Sequence, residues 1–350
     1  MASTGKAFAP VVVSIVLLAG LSPQSRGPES DSTGVTIMAL GDVNLGRSVG
    51  QRLLKGDVAY PFLQIRPVLE RHDIVFANLE SQIANRGGET QHPRDRYRFC
   101  APPQAAQALR LGGISVVSTS NNHAFDYGAE ALAETIDELS AAGVQWTGTS
   151  KDSVDLFPPA IVERNGIRIG FVAYTEFVNR GKGWTGTISI FEQSRARREI
   201  AHLRKKAEFV IASYHGGTEY ADAPSRGTLA QLRALVDAGA DIVVGHHPHV
   251  PQGIEWYGRG LIFYSLGNCV FLQPHNTWAR KAFAVSMEVR RLGGSVRLAG
   301  IKLLPLAVSN QPTFDVTDGV ADSLYERLRR LSTAEITRKD KYIVVNRGDR

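Results

Sequence analysis

The sequence of 350 residues is 43% hydrophobic and 21% charged, an ordinary balance for a globular protein that excludes a disordered chain. A chain of this length can bury one large α/β core or two smaller ones. The net charge of +6 is scattered, and no basic stripe with interleaved aromatic side chains is present, so we expect no nucleic acid as a partner. The charge is compatible with an anionic substrate or polymer.

The first 34 residues differ from the rest of the chain. Lys6 precedes an apolar run over residues 7–21, and residues 22–34 are rich in Ser, Pro and Gly. The run is short for a membrane span and has the length of a secretory h-region. We therefore predict that residues 1–34 are a signal peptide or membrane anchor plus a linker. The protein would be exported, either periplasmic or anchored to the outer face of the cytoplasmic membrane.

From residue 35 onward, short apolar strands alternate with helices, which predicts an α/β class. Hairpin signals at Asn165-Gly166 and Gly293-Gly294 make the sheets mixed. A polar segment over residues 85–98 is predicted as a long surface excursion. We expect one domain over residues 35–331 and a charged C-terminal extension over residues 332–350. The predicted strands cover residues 35–40, 73–79, 114–118, 160–162, 167–174, 209–214, 241–244 and 261–264, and the predicted helices cover 104–111, 129–142, 192–206 and 229–238.

Polar residues lie at the carboxyl ends of five of these predicted strands. Open α/β sheets place their sites at the carboxyl ends of strands, so five such coincidences favour one convergent site. Taken singly, each residue has a plain structural alternative; Asp42, for example, has the position of a helix cap. The residues at these ends are Asp42, Asn78 with Glu80, Asn122 with His123, His215, and the cluster His246, His247 and His249.

Carboxylate, imidazole and amide ligands suit one or two divalent cations, with Mn, Zn, Fe and Mg not distinguished by these ligand types. Two ions would clamp a phosphoryl group. His123, oriented by Asp126, is predicted to act as general acid, and Arg47 to bind an anionic group of the substrate. The predicted metal ligands are Asp42, Glu80, Asn122, His215, His247 and His249, and further candidates for substrate binding are Asn78, His246 and Asn268.

Other catalytic schemes have weaker support. Ser265 does not lie in a Gly-x-Ser-x-Gly elbow, and neither a Walker A loop nor a Gly-x-Gly-x-x-Gly fingerprint is present. Cys100 and Cys269 lie outside any nucleophile or metal motif, and we expect both to be small buried hydrophobic side chains rather than a disulfide.

Six motifs of the chain occur in an order that resembles a known family. With them the chain is similar to bacterial capsule synthesis proteins of the CapA type, the poly-γ-glutamate capsule biosynthesis family, from about Thr36 to beyond Phe271. The resemblance implies a fold like that of the calcineurin-like metallophosphoesterases, a sandwich of two mixed β-sheets flanked by helices. It also implies a place at the cell envelope. The motifs cover residues 41–47, 78–80, 121–128, 215–220, 245–249 and 264–268.

The chain departs from these patterns at a few positions. Asn44 stands where the phosphoesterases have the histidine of Asp-x-His, and the acid of their Gly-Asn-His motif is displaced to Asp126. The capsule family usually has a bulky apolar residue at the position of Asn44, tryptophan at that of Gly216 and phenylalanine at that of Cys269. The number of metal ions and the substrate therefore stay open.

The sequence leads to three functional hypotheses. The first is a metal-dependent, phosphoesterase-like hydrolase acting on an anionic envelope polymer or a phosphorylated precursor. The second is a non-catalytic accessory subunit of a polyglutamate synthesis and export complex, with membrane-bound capsule synthesis proteins as partners. The third is a metal-dependent amide hydrolase, because the same metal chemistry attacks either bond. Tightly bound metal together with catalytic turnover would distinguish the two hydrolase hypotheses from the accessory subunit.

Overall fold

The computed structural model describes residues 1–2, 33–179 and 181–347. The predicted export segment over residues 1–34 lies almost wholly outside these ranges. Within them, no helix has the length and apolar character needed to cross a membrane.

Strands and helices follow one another from residue 34 to residue 345. The strands are β1 (Gly34–Val43), β2 (Ile74–Leu79), β3 (Gln82–Ile83), β4 (Gln91–His92), β5 (Asp95–Ala101), β6 (Val116–Ser118), β7 (Gln145–Thr147), β8 (Ala160–Arg164), β9 (Ile167–Thr175), β10 (Phe209–His215), β11 (Ile242–His246), β12 (Ile254–Tyr257), β13 (Gly260–Phe263), β14 (Asn268–Val270), β15 (Lys281–Leu292), β16 (Ser295–Ala307), β17 (Ile336–Lys339) and β18 (Tyr342–Val345). The helices are α1 (Arg47–Leu54), α2 (Arg66–Leu69), α3 (Gln104–Leu111), α4 (Gly128–Ala142), α5 (Gln193–Leu203), α6 (Arg226–Ala238) and α7 (Asp318–Leu331), with short 3₁₀ turns at Tyr60–Phe62 and Trp278–Arg280.

Two large sheets form the centre of the fold. The first has the order β17-β18-β16-β15-β1-β2-β6-β7, with β14 paired to β1, and the second has the order β12-β13-β11-β10-β9-β8. Both contain parallel and antiparallel pairs, as the hairpin signals predicted. A small third sheet, β3-β5-β4, lies in the part of the chain that includes the predicted surface excursion over residues 85–98. The excursion contains the short strand β4 and part of β5, and most of its residues are exposed or half-buried.

The alternation of side chains along β1 shows how the layers are built. Val35, Ile37 and Ala39 pack in the core shared by the two large sheets, while Met38 and Leu40 face the opposite side. That opposite side is covered by buried residues of α1, α3 and α4, and the outer face of the second sheet is covered by α5 and α6. Because successive side chains of a strand point to opposite faces, a strand covered on both faces is apolar throughout. The result is the predicted sandwich of two mixed sheets flanked by helices.

Aromatic packing joins the two sheets across the core. Phe76 of β2 and Phe171 of β9 stack with ring centroids 5.4 Å apart and an interplanar angle of 14°. Truncation of either buried ring to alanine would cost about 3–5 kcal/mol of the free energy of unfolding.

Strand register brings distant polar residues together at the carboxyl edge of the sheets. Asp42 of β1 pairs with Asn78 of β2 and with Asn268 of β14, and His215 of β10 pairs with His246 of β11. Residues that are 31 or more positions apart in sequence thus become lateral neighbours, which is what parallel pairing produces at one sheet edge.

Two glycines allow the backbone to close up beside this edge. A Cβ on Gly41 would lie 1.9 Å from the carbonyl oxygen of Gly267, and one on Gly245 would lie 2.1 Å from that of Tyr264. Neither separation is tolerable between nonbonded atoms, so both positions require glycine for close packing of neighbouring strands.

The C-terminal segment is part of the fold and not an extension. Residues 332–350 were predicted to extend beyond a domain ending at residue 331, but β17 and β18 complete one end of the first sheet. Ile336, Ile343 and Val345 are buried in the core shared by the two sheets. Their alternation is short and lies among charged residues, so the sequence pattern alone gave little sign of a strand pair.

Candidate metal centre and its cavity

Asp42, at the end of β1, is fully buried among polar groups. Its Oδ1 accepts a hydrogen bond from Asn78 Nδ2 at 2.9 Å, and its Oδ2 lies 3.1 Å from His249 Nδ1. His246 Nδ1 is 3.1 Å from Oδ1 but is not aligned for a hydrogen bond, so we count it as an electrostatic contact only. Burial raises the pKa of Asp42, but the contacts and charges of His246 and His249 outweigh burial and hold this pKa well below its usual value. Asp42 is therefore a carboxylate, the form that binds metal.

Glu80, just after β2, is also fully buried, and its Oε1 has no hydrogen-bond partner among the described residues. Three imidazole nitrogens surround this oxygen: Nε2 of His249 at 3.7 Å, of His215 at 3.9 Å and of His123 at 4.0 Å. Burial, followed by the negative charge of Asp42, raises the pKa of Glu80 well above its usual value. A buried carboxylate oxygen without a partner is costly, and a bound cation would remove that cost.

Two histidines of the site, His215 and His247, are held neutral. Burial, and next electrostatic repulsion between the His215 and His247 imidazoles, lowers the pKa of His215 well below its usual value. Burial and the neighbouring His249 lower the pKa of His247 to about 3. Neutral imidazole is the form that binds metal, so the environment favours the ligand state of both side chains.

Three overlapping groups of donors satisfy the spacing that a metal ion requires. The donor atoms of each group lie within 4.8 Å of one another, and Glu80 belongs to two of the groups. A carboxylate that is shared in this way is suited to bridge two cations. The groups are Asp42 with Glu80 and His249, Glu80 with His215 and His247, and Glu219 with His247 and His249.

Asn122, the remaining predicted ligand, is 2% exposed and lies beside the second of these groups. Its Oδ1 accepts a hydrogen bond from His215 Nε2 at 2.8 Å, so the amide oxygen lies directly beside the imidazole nitrogen of this group. The buried oxygen of Glu80, the neutral imidazoles and this amide oxygen together form a donor set that fits a divalent cation. The structure thus brings all six predicted ligands into one site.

His123 and Asp126 form a buried pair at the rim of the donor set. His123 Nδ1–H donates to Asp126 Oδ2 at 2.8 Å, and the same oxygen accepts the backbone N–H of Phe99 at 2.8 Å. The ring of His123 packs against that of Phe99 with centroids 4.5 Å apart. Because Nδ1 is engaged by Asp126, the other nitrogen of His123 is directed to Glu80 and to the cavity.

Asn78, His246 and Asn268 lie behind the donors and do not line the cavity. Asn78 Nδ2 is within 3.4 Å of both Asp42 and Glu80 and 3.2 Å from His215 Nδ1. Asn268 Oδ1 is 2.9 Å from His249 Nδ1. We therefore assign these three residues to positioning the ligands, in place of the predicted contact with substrate.

A cavity of about 780 Å³ opens above the donors and reaches solvent. Its volume exceeds that of a single metal ion with its waters, so it has space for an organic substrate. Among the described residues, the lining combines two arginines and several aromatic side chains with a single carboxylate. They are Arg47, Arg96, Tyr97, Phe99, His123, Asn179, Glu219, Tyr220, His249, Phe271, Leu272, Gln273, Pro274 and His275.

Arg47 is the most constrained cation of this cavity. Its guanidinium carbon lies 4.3 Å from the ring centroid of Phe99 and 5.2 Å from that of Phe271. Its Nε is buried without a hydrogen-bond partner among the described residues, and burial lowers the pKa of the guanidinium from its usual value. The group remains charged, because the pKa of arginine is far above neutrality. Arg47 is thus a cation that is oriented by two rings and has a free donor.

The backbone of the site is strained. Four of the six non-glycine residues with positive φ in the described chain lie here: Arg47 (50°), Tyr220 (62°), His247 (93°) and His249 (59°). Each such residue costs of order 1–3 kcal/mol, and residues of this kind are concentrated at functional sites.

The sequence reasoning missed several cavity residues. Glu219 and Tyr220 stand in the motif of residues 215–220, which was used for the resemblance but gave neither residue a role. Phe99, Arg96 and Tyr97 come from β5, within or beside the segment predicted as a surface excursion. Most site residues were predicted from their position at strand ends. Glu219 and Tyr220 lie farther along a loop and the other three lie within β5, so none of the five has that signal.

Two departures from the expected motifs have local explanations. Asn44 is buried; its Nδ2 donates to the carbonyl of Glu80 at 3.2 Å and its Oδ1 accepts from the N–H of Gly46 at 3.0 Å. It therefore holds two loops together. Cys269, like Cys100, is buried and free, and burial raises the pKa of both thiols, as expected for packing residues.

Comparison with known proteins identifies the family of this chain. The family model described as bacterial capsule synthesis protein PGA_cap matches residues 36–273. Capsule biosynthesis protein CapA of Bacillus anthracis is 32% identical over 306 residues, covering 85% of this chain and 73% of the relative. PGA biosynthesis protein CapA of Bacillus subtilis (strain 168) is 30% identical over 247 residues, covering 69% of this chain and 63% of the relative. A probable polyglutamine synthesis accessory protein of Mycobacterium tuberculosis is 27% identical, covering 88% of this chain and 87% of the relative.

Solved structures give more distant matches. The calcineurin-like phosphoesterase YfkN from Bacillus subtilis aligns with a TM-score of 0.44 and 16% identity, covering 85% of this chain and 97% of that chain. A putative 5'-nucleotidase from Staphylococcus aureus aligns with a TM-score of 0.48 and 10% identity, covering 84% of this chain and 58% of that chain. Likeness at this level does not carry function. Family membership rests instead on the model match over residues 36–273 and on the relatives that are at least 30% identical. The chain therefore belongs to the bacterial capsule synthesis protein family.

Proposed function

We propose that the protein is a metal-dependent hydrolase of phosphoester bonds in an anionic envelope polymer or its phosphorylated precursor. The observation that carries the proposal is the buried, unpartnered Oε1 of Glu80, which faces the Nε2 atoms of three histidines at 3.7–4.0 Å. A purely structural carboxylate at this depth would be paired with a donor.

The donors that would hold the metal are the six ligands named above. Asp42, Glu80, His215, His247 and His249 belong to the donor groups, and Asn122 adds an amide oxygen beside them. One or two divalent cations bound there would supply Lewis acidity toward a phosphoryl oxygen and neutralise substrate charge.

His123 is suited to deliver a proton to the leaving oxygen. Its Nδ1 proton is held by Asp126 at 2.8 Å, so the exchangeable proton of the imidazolium sits on Nε2, at the cavity surface. Asp126 would stabilise the positive charge of the ring and fix its orientation, the role that an acid partner has in general acid catalysis.

Arg47 supports an anionic substrate. It lines the main cavity and also a neighbouring hollow of about 410 Å³, whose other wall residues include Arg96, Gln91 and Asn310. None of the described residues that line this second hollow has an acidic side chain. A guanidinium at the junction of two hollows can hold a phosphate or carboxylate of a chain that extends past the metal centre.

Placement at the envelope is part of the same proposal. It is supported by the apolar run over residues 7–21, and the names of the relatives add capsule and polyglutamate synthesis as the cellular context. Association with membrane-bound capsule synthesis proteins would follow from that context.

The proposal is tested by metal analysis and turnover of the purified full-length protein. We expect one or two equivalents of divalent metal, and metal-dependent hydrolysis of a phosphodiester. His123→Ala should retain its metal and lose about 10²- to 10⁴-fold in turnover of a substrate with a poor leaving group. An activated nitrophenyl ester should be much less affected, because its leaving group needs no proton. His202→Ala, an exposed histidine of α5, is the matched control and should behave as wild type.

The other outcomes separate the alternative hypotheses. Bound metal with no phosphoester turnover but hydrolysis of a γ-glutamyl amide would contradict the phosphoesterase and favour the amide hydrolase. A protein that binds no metal and hydrolyses neither bond would instead favour the accessory subunit.

A further inference from the structure

Glu219 is a carboxylate for which the proposed mechanism has no use. It lies in the connection between β10 and α6, is exposed and lines the main cavity. One of its oxygens and one nitrogen of each of His247 and His249 lie within 4.8 Å of one another. Glu219 does not lie at the end of a strand, and it is not one of the six ligands assigned above.

The surroundings of Glu219 set it apart from an ordinary surface glutamate. Among the described residues it is the one carboxylate lining a cavity that otherwise presents Arg47 and Arg96. In the absence of a cation its charge would repel an anionic substrate. A cation between this carboxylate and the imidazoles would turn that repulsion into attraction.

The two imidazoles concerned are shared with the buried donors. His247 also belongs to the group with Glu80 and His215, and His249 to the group with Asp42 and Glu80. Glu80 is fully buried and Glu219 is exposed, so the two carboxylates approach these imidazoles from the floor and from the cavity. The Nδ1 of His247 is buried without a hydrogen-bond partner in the described chain, so this ring has a free donor position.

We propose that Glu219 is an additional metal ligand, which together with His247 and His249 holds a divalent cation on the cavity side of the centre. This inference rests on the proposed function in assuming that the donor set binds metal. It adds that the coordination shell extends to an exposed carboxylate, where water and substrate have direct access. Such a ligand binds more weakly than a buried one, because solvent competes for it.

The test is a Mn²⁺ titration of the full-length protein, followed by calorimetry and by electron paramagnetic resonance of bound Mn²⁺. Glu219→Gln keeps the size of the side chain and removes its charge. We expect this variant to bind one Mn²⁺ equivalent about 10- to 100-fold more weakly than wild type, with a changed spectrum, and Glu219→Asp to recover part of the loss.

Glu176→Gln is the matched control. Glu176 is an exposed carboxylate near the same connection; its Oε2 accepts the backbone N–H of Gly217 at 2.8 Å, and it does not line the cavity. Its amide variant removes the same charge and retains an acceptor for that N–H. We expect wild-type Mn²⁺ affinity and spectrum for Glu176→Gln.

The outcomes separate this inference from the proposed function. Unchanged Mn²⁺ affinity in Glu219→Gln, or equal weakening in both glutamine variants, would overturn the ligand role of Glu219 and leave the hydrolase proposal standing. Selective loss in Glu219→Gln without phosphoester turnover in wild type would support the ligand and contradict the hydrolase. A wild-type protein that binds no Mn²⁺ would overturn both.

Discussion

The floor and the wall of the cavity are built in different ways. The floor consists of Asp42, Glu80 and the histidines at strand ends, and it is almost completely buried. The wall includes Arg47 at the start of α1, Tyr97 of β5 and the loop residue Glu219, which are partly or fully exposed. Strand register fixes the relative positions of the floor residues, whereas those of the wall depend on how loops pack against one another.

This difference separates two kinds of chemistry. Burial changes the pKa values of the floor residues. It favours the neutral imidazoles of His215 and His247, and it makes the negative charge of Glu80 costly until a cation binds. The wall presents fixed positive charge and aromatic surface to the solvent side, where a substrate arrives. We therefore expect changes in the floor to remove metal and turnover together, and changes in the wall to act on substrate affinity.

The largest effect is expected from Asp42→Asn. It removes the charge that holds His246 and His249, so the metal content should fall to below half and turnover by about 100-fold or more. The control is Asp73→Asn, at the opposite edge of the same strand pair, where the carboxylate accepts hydrogen bonds from the backbone N–H and the hydroxyl of Thr36, each at 2.8 Å. That variant should lose about 1 kcal/mol of stability and keep its metal. Full metal content in Asp42→Asn, measured by elemental analysis, would show that Asp42 is not a metal ligand.

An intermediate effect is expected from pH. Burial, reinforced by Asp42, raises the pKa of Glu80 well above 4.5, so Glu80 must release its proton when the metal binds. Metal affinity should therefore fall by up to about tenfold per pH unit as the pH drops below that pKa, and recover as it rises. His247, with a pKa of about 3, and His215, with a lowered pKa, stay neutral over this window and do not compete.

The proton release is measured by calorimetry in buffers with different ionisation enthalpies, between about pH 5 and pH 8. We expect up to one proton released per Glu80-bound ion at the lower end and none at the upper end. An affinity that is constant across this range would show that Glu80 is already ionised without metal, contrary to its buried position.

The smallest effect is expected from Arg47→Lys in the wall. Lysine keeps the charge but loses the planar contacts with Phe99 and Phe271, worth about 0.5–1 kcal/mol. We expect KM to rise about 2- to 5-fold with little change in kcat or metal content. Arg52→Lys is the matched control, since Arg52 lies over the ring of Tyr60 at 4.9 Å and does not line the cavity. A fall in kcat at constant KM would instead show that Arg47 stabilises the transition state more than the bound substrate.

Much of the fold was predictable from local patterns. The apolar strands over residues 35–40 and 209–214 and the helix over residues 104–111 appear where the sequence indicated them. The helix α7 and the pair β17–β18 were not predicted, because their apolar residues are sparse and lie among charges. Their burial comes from packing against the first sheet, which no local window contains.

By itself, the sequence determined the class of fold and the floor of the site. A polar residue that follows an apolar strand must emerge at the carboxyl edge, because strand direction and period are local properties. Only the tertiary structure decided which of these residues touch, that Asn78, His246 and Asn268 lie behind the ligands, and that Glu219 approaches His247 and His249 from the cavity. Those contacts join segments far apart in the chain, and their distances are set by strand register and loop packing, which no short stretch of sequence specifies.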